Sequence, residues 1–121
     1  MDKTGLGPWG EAQAAAYLRR RAYGILAMNY GCRFGEIDII ARRGAYVVFV
    51  EVKTRKDASF AAAREYVTAA KQRRIISAAA LWLSENESPL QPRFDVIEVY
   101  APQRPGGRPR IQHIANAFEA F

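Results

Sequence analysis

The chain has one cysteine and one histidine in 121 residues. A lone Cys32 excludes an intramolecular disulfide, and one thiol beside one imidazole cannot build a zinc cage of the usual Cys/His type. Long apolar runs are missing too. None approaches the roughly 20 residues that a membrane-spanning helix needs, and the N-terminus lacks the apolar stretch of a secretion signal. Neither membrane insertion nor secretion is expected, and a reducing cytoplasm is the compartment that fits. Acid is scarce: 12 Asp and Glu stand against 18 Lys and Arg, a net charge of +6. The excess is clustered in Arg19-Arg20-Arg21, Arg42-Arg43, Lys53-Arg55-Lys56 and Lys71-Arg73-Arg74, and a basic surface of this kind attracts phosphate polymers. The plain alternative is a solvated charged face.

Half the residues are hydrophobic, and the length suits one domain with a real core. The most informative stretch runs from Gly35 to Lys56. Two β-branched, apolar runs, Gly35-Glu36-Ile37-Asp38-Ile39-Ile40 and Tyr46-Val47-Val48-Phe49-Val50-Glu51-Val52-Lys53-Thr54-Arg55, flank a glycine-containing break, the mark of a hairpin. Side chains alternate along a strand, so Glu51 and Lys53 share a face. If paired positions sum to 89, Asp38 stands on that face opposite Glu51, and the two-residue loop Gly44-Ala45 suits a type II′ turn.

Around the hairpin the chain reads as one domain over residues 1–121. Residues 1–8 form a loose lead-in. A helix runs from Trp9 to about Ala22 and ends in the left-handed turn that Gly24 tolerates; Arg19 to Arg21 complement its dipole. Residues 23–30 resemble a first strand. Residues 56–67 form a connection with weak periodicity, read as a partly helical lid. Thr68 caps a second helix over about 69–86, whose first turns carry Lys71, Gln72, Arg73 and Arg74 beside the unpaired amides that favour phosphate. Arg93 to Tyr100 make another strand, residues 101–110 a mobile basic loop, and Ile111 to Ile114 a short edge strand. The main order is αβββαβ: an α/β (α+β) mixed β-sheet flanked by helices.

Acids and an amine on neighbouring strands are costly to gather without a cation. Two carboxylates about 4 Å apart repel by roughly 4 kcal/mol at an effective dielectric of about 20. A divalent ion removes that repulsion, and a few oxygen ligands completed by water suit Mg²⁺ or Mn²⁺. Asp38 and Glu51 are the expected ligands, with the Val52 carbonyl between them, and Lys53 is placed to orient a water or steady a phosphate. That constellation serves in-line phosphodiester hydrolysis. The bland alternative is a surface Asp38 and a Glu51-Lys53 pair compensating each other across solvent. Elsewhere, Cys32 and His113 are too far apart in sequence to suggest a thiol and its base, so a half-buried thiol and a structural imidazole are expected. Asp95 has a ligand's chemistry but its face is not fixed by the pattern. Trp9, Phe34, Phe60 and Tyr66 read as core before they read as base-stacking residues.

The hairpin residues Gly35 to Ile40 and Val48 to Arg55 resemble the bacterial YraN family, which is similar to Holliday-junction resolvases and the wider PD-(D/E)XK nucleases. Gly7-Pro8-Trp9-Gly10-Glu11, Ala27-Met28-Asn29-Tyr30, Lys71-Gln72-Arg73-Arg74, Arg93-Phe94-Asp95-Val96 and His113 to Phe118 extend the resemblance over nearly the whole chain. It implies a restriction-endonuclease-like fold, a nuclease signature at Asp38, Glu51 and Lys53, and a metal-assisting role for Glu11. The chain departs from the family at Phe60-Ala61 and Glu65-Tyr66-Val67. The expected function is a Mg²⁺- or Mn²⁺-dependent nuclease acting on DNA, branched or damaged, with Arg55, Lys56, Lys71, Arg73 and Arg74 on the nucleic acid. The competing readings are a nucleic-acid-binding protein that keeps the fold without turnover, and a scaffold for a protein partner. By analogy, a junction enzyme also implies a symmetric homodimer.

Overall fold

A computed structural model describes residues 6–56 and 67–120. The elements are α1 (Leu6–Arg20), β1 (Gly24–Cys32), β2 (Gly35–Arg43), β3 (Tyr46–Arg55), α2 (Ala69–Asn86), β4 (Gln91–Tyr100) and β5 (Arg110–Phe118). The sheet order is β1-β2-β3-β4-β5. Only β3 and β4 are parallel, joined through α2; the other neighbours are antiparallel. This mixed sheet with two helices is consistent with the restriction-endonuclease-like arrangement. No described helix is long and apolar enough to cross a membrane.

The sheet separates two cores. Ala14, Ala15 and Leu18 of α1 pack on Ile39, Ala41, Val48, Val50, Ile97 and Val99. Ile75, Ala78 and Ala79 of α2 pack on Ile40, Val47, Phe49 and Phe94 from the other side. Covered on both faces, β3 is buried without a break from Val47 to Glu51, which is why its sequence reads as a continuous apolar run.

The expected hairpin register is present. Pairs run from Arg43↔Tyr46 to Ile39↔Val50, each summing to 89. Gly44 takes φ 60° while Ala45 has no positive φ, as a type II′ turn requires. α2 has the expected bounds; Thr68 caps it by accepting from the Lys71 amide at 3.1 Å.

Several boundaries differ from the sequence expectation. α1 starts at Leu6, inside the supposed lead-in, because Pro8 lies in the first turn, where its missing N–H has no helical partner to lose. The helix is stopped by Ala22 rather than Gly24: Ala22 takes φ 69°, and the Tyr23 and Ala22 amides donate to the Leu18 and Arg19 carbonyls. Gly24 already belongs to β1. β5 continues to Phe118, past the expected Ile114, through an irregularity at which Asn116 takes φ 54°. The lid expected over 56–67 lies outside the described residues from 57 to 66.

Candidate functional site

The β2–β3 ladder's last pair is Ile39↔Val50. Beyond it, the amide of Val52, two residues past Val50, donates to the carboxylate of Asp38, one residue before Ile39, at Oδ2 and 2.8 Å. A side chain thus occupies the place where a backbone acceptor would continue the pairing. Asp38 is also skipped on its other flank, where Met28↔Ile39 and Tyr30↔Ile37 bracket Asn29, whose φ is 52°.

A cleft of about 550 Å³ opens here. Its described walls include Gly7, Pro8 and Glu11 from α1, Asn29 from β1, Glu36 and Asp38 from β2, Glu51 and Val52 from β3, and Lys71 and Arg74 from α2. The N-terminal turns of both helices therefore meet at one place, bringing the positive ends of two dipoles to it. α1 reaches this position through Gly10. A Cβ at residue 10 would stand 1.9 Å from the Thr54 Oγ1 and 3.0 Å from its Cβ and Cγ2; turning the hydroxyl away would still leave the Cβ at 3.0 Å, so the helix or the strand would have to shift. Glycine at that buried turn sets the helix against β3 and Glu11 beside the acids.

Asn29 donates to Glu11 Oε1 at 2.9 Å. Lys71 Nζ lies 3.0 Å from Glu51 Oε2, and Glu51 is only 6% exposed. Burial, then the Glu51 carboxylate, push the Asp38 carboxyl up to about 7; Glu11 adds to this, while the Val52 amide and Lys71 oppose it. Asp38 is an acid held against two others with too little positive charge nearby.

Among the described residues no three Asp, Glu, His or Cys side chains group as a ready-made metal cage. The donor chemistry still fits a hard cation of the magnesium type, which characteristically takes one or two carboxylates and completes its shell with water and phosphate oxygens. Asp38 and Glu51 are the carboxylates that could hold it.

The structure thus gathers Asp38, Glu51, Val52, Glu11, Lys71 and Arg74 around the cleft. Lys53 is half-buried further along β3, aligned with Glu98 of β4, outside the described lining. Arg55 lies 3.5 Å from Glu98, and Lys56 is exposed where β3 leads into residues 57–66. Arg73 is exposed on α2. Sequence reasoning placed Lys71 on nucleic acid without seeing its pairing with Glu51, and passed over Asn29 and Gly10. For Gly10 a signal existed, since an isolated glycine inside a helical pattern often marks close packing.

Asp95, whose face the pattern left open, is fully buried away from the cleft. It accepts from Arg93 Nε and Nη2 at 2.9 and 2.8 Å, lies 2.6 Å from His113 Nε2, and accepts from the Asn116 amide at 3.0 Å. His113 Nδ1 is 3.1 Å from the Tyr17 hydroxyl. Cys32 is half-buried, and Trp9 and Phe34 are partly buried against the two cores.

Residues 10–99 match the sequence profile of the uncharacterised protein family UPF0102. A UPF0102 protein of Geobacter sulfurreducens is 48% identical over 117 residues, covering 94% of this chain and 88% of the relative. One from Geobacter metallireducens is 47% identical over 120 residues, covering 98% and 96%, and one from Nocardia farcinica 46% over 118 residues, covering 97% and 91%. With most of its length matched by the profile and by near full-length relatives, the chain belongs to the UPF0102 family, the YraN proteins that its hairpin resembles.

Proposed function

We propose that the cleft is the active site of a Mg²⁺- or Mn²⁺-dependent nuclease that hydrolyses phosphodiester bonds in DNA. The observation that carries this reading is Asp38: its carboxylate fills the gap between β2 and β3, faces Glu51, and is pushed up to about 7. A fold that needed only to be stable would place an apolar residue there or give the acid a cationic partner.

When bound, the divalent ion would supply charge neutralisation at the phosphate and an activated water. Asp38 and Glu51 would hold it, and the Val52 N–H fixes the orientation of the Asp38 carboxylate. Asn29 holds Glu11 at the cleft, where its carboxylate would assist in binding the ion. Lys71 and Arg74 stand at the N-terminal turns of α2, where ammonium, guanidinium and helix dipole attract a phosphate together. Lys53, on the same strand as Glu51, provides an ammonium to orient a water or steady charge on the phosphate.

The observation favouring the second reading, nucleic-acid binding without turnover, is the Lys71–Glu51 pair, which already compensates one of the acids. A cleavage screen with Mn²⁺ over single-stranded, duplex, flap and four-way DNA separates the two. The nuclease reading expects product from wild type and none from Asp38→Asn or Lys53→Ala. It also expects Mn²⁺ at 100 times Kd to add about 2.7 kcal/mol of stability to wild type and to Lys53→Ala, which keeps both carboxylates, and much less to Asp38→Asn. Identical traces from all three proteins, with no metal effect on melting, leave binding as the function.

A further inference from the structure

Two arginine clusters play no part in the cleft, and the fold brings them together. Arg19 and Arg20 end α1, and Arg21 follows. The chain then reverses through Ala22 into β1, where Gly24 pairs with Arg42. Arg43 lies over the ring of Tyr23, 5.3 Å from its centroid, and Arg21 over the ring of Tyr17 at 4.7 Å. All five arginines are exposed, and among the described residues none forms an ion pair. Complementing the α1 dipole accounts for Arg19 and Arg20 only.

This pole lies at the other end of α1 and β2 from the acids. From Glu11 to Arg20 the helix rises about 14 Å, and from Asp38 to Arg43 the strand advances about 17 Å. At roughly 3.4 Å per step, that separation is four to five base pairs of duplex. The chemistry favours phosphate over other anions. All five cations are arginines, whose planar fork is weakly hydrated and donates two N–H groups to phosphate oxygens. Stacking two of them on tyrosine rings fixes the planes while leaving the N–H edges available. Of the aromatic rings at this pole, Tyr23 is 6% exposed and lies beneath its arginine, while Tyr46, paired with Arg43, is 42% exposed; a membrane-surface site intersperses exposed apolar side chains more densely among its cations, and the vesicle arm of the test separates the two.

We infer that Arg19, Arg20, Arg21, Arg42 and Arg43 form a second phosphate-contact surface, which grips a nucleic-acid duplex at a separate point from the cleft. The inference rests on a nucleic-acid partner and not on turnover at the acids.

The test compares wild type with a triple variant, Arg19→Gln, Arg20→Gln and Arg42→Gln, and with a charge-matched control carrying Arg33→Gln, Arg104→Gln and Arg108→Gln, all exposed positions. Binding to a fluorescent 24-base-pair duplex is measured by anisotropy between 50 and 300 mM salt without metal. The pole variant is expected to lose at least tenfold in affinity and to flatten the log K against log salt slope by about two or more, against less than threefold for the control. Equal losses in both variants, which would make net charge the cause, overturn the inference, as does undiminished binding by the pole variant. Weakened binding to phosphatidylglycerol vesicles with duplex affinity intact overturns it in favour of a membrane surface. If the pole variant loses affinity while wild type shows no metal-dependent cleavage, the second surface stands and the nuclease reading falls.

Discussion

Asp38 and Asp95 are carboxylates on one sheet, and the fold treats them oppositely. Burial alone would push the Asp95 carboxyl up, but His113, Arg93 and the Asn116 amide outweigh it and hold the group below the usual carboxylate range. Burial also pushes Asp38 up, and there the neighbours reinforce it: Glu51 and Glu11 raise the carboxyl further, opposed only by the Val52 amide and Lys71. Asp95 is fully satisfied within the chain and ties β5 to β4 through His113 and Asn116. Asp38 accepts from the Val52 amide and, among the described residues, forms no ion pair. A buried acid serves the fold when its charge is answered internally and points to function when it is not.

The largest expected effect breaks the Asp95 side of this contrast. Asp95→Ala leaves the Arg93 guanidinium, beside Tyr23, without its carboxylate, and should cost about 3–5 kcal/mol in urea unfolding, as for other broken buried pairs. If the loss is under about 1 kcal/mol, Asp95 is no keystone and the contrast fails.

The same substitution logic gives the opposite sign at the cleft. An Asp carboxyl titrates near 3.9 in the unfolded chain and at about 7 in the fold. The folded state therefore keeps its proton longer, so stability is greatest below about pH 4, declines as pH rises and has lost the whole contribution above about pH 7. Asp38→Asn keeps an acceptor for the Val52 amide and removes the repulsion. Without metal it should unfold about 1–3 kcal/mol later than wild type at pH 8, with the gap closing toward pH 4. A variant less stable than wild type at pH 8 would mean that Asp38 is as well compensated as Asp95.

The smallest effect sharpens how α2 serves the cleft. Thr68→Ala removes the cap on the Lys71 amide and should cost about 1 kcal/mol, read as a lower melting temperature. A loss near zero would show that the α2 face packed on Ile40 and Phe49, rather than its cap, holds Lys71 against Glu51.

Much of this was legible before any coordinates. The register that opposes Asp38 to Glu51 follows from alternation and from Gly44, since slipping by one residue would turn Ile39 and Val50 out of the core they fill. The bounds of α2 follow from its cap and helical period. The start of α1 was hidden because Pro8 reads as a breaker though the first helical turn accepts it. Its end was hidden because Ala22 adopts a conformation usually left to glycine. β5 was cut short because Ala115-Asn116-Ala117 carries no β-branched or aromatic side chain and Asn disfavours strands; its path past Ile114 is supported by the Asn116 amide on Asp95, a partner 21 residues away.

By itself, then, the sequence determined the hairpin, the acids at 38 and 51, the basic composition and the family, because these depend on local period, turn chemistry and residue identity. Only the tertiary structure decided that Lys71 answers Glu51, that among the described residues Asp95 is ion-paired while Asp38 is not, and that arginines 21 residues or more apart share one pole. Those outcomes depend on where helix ends and strand edges meet, and on the low dielectric of the places where they do. Distance through space and access to water, neither of which is written along the chain, set the strength of every charge in them.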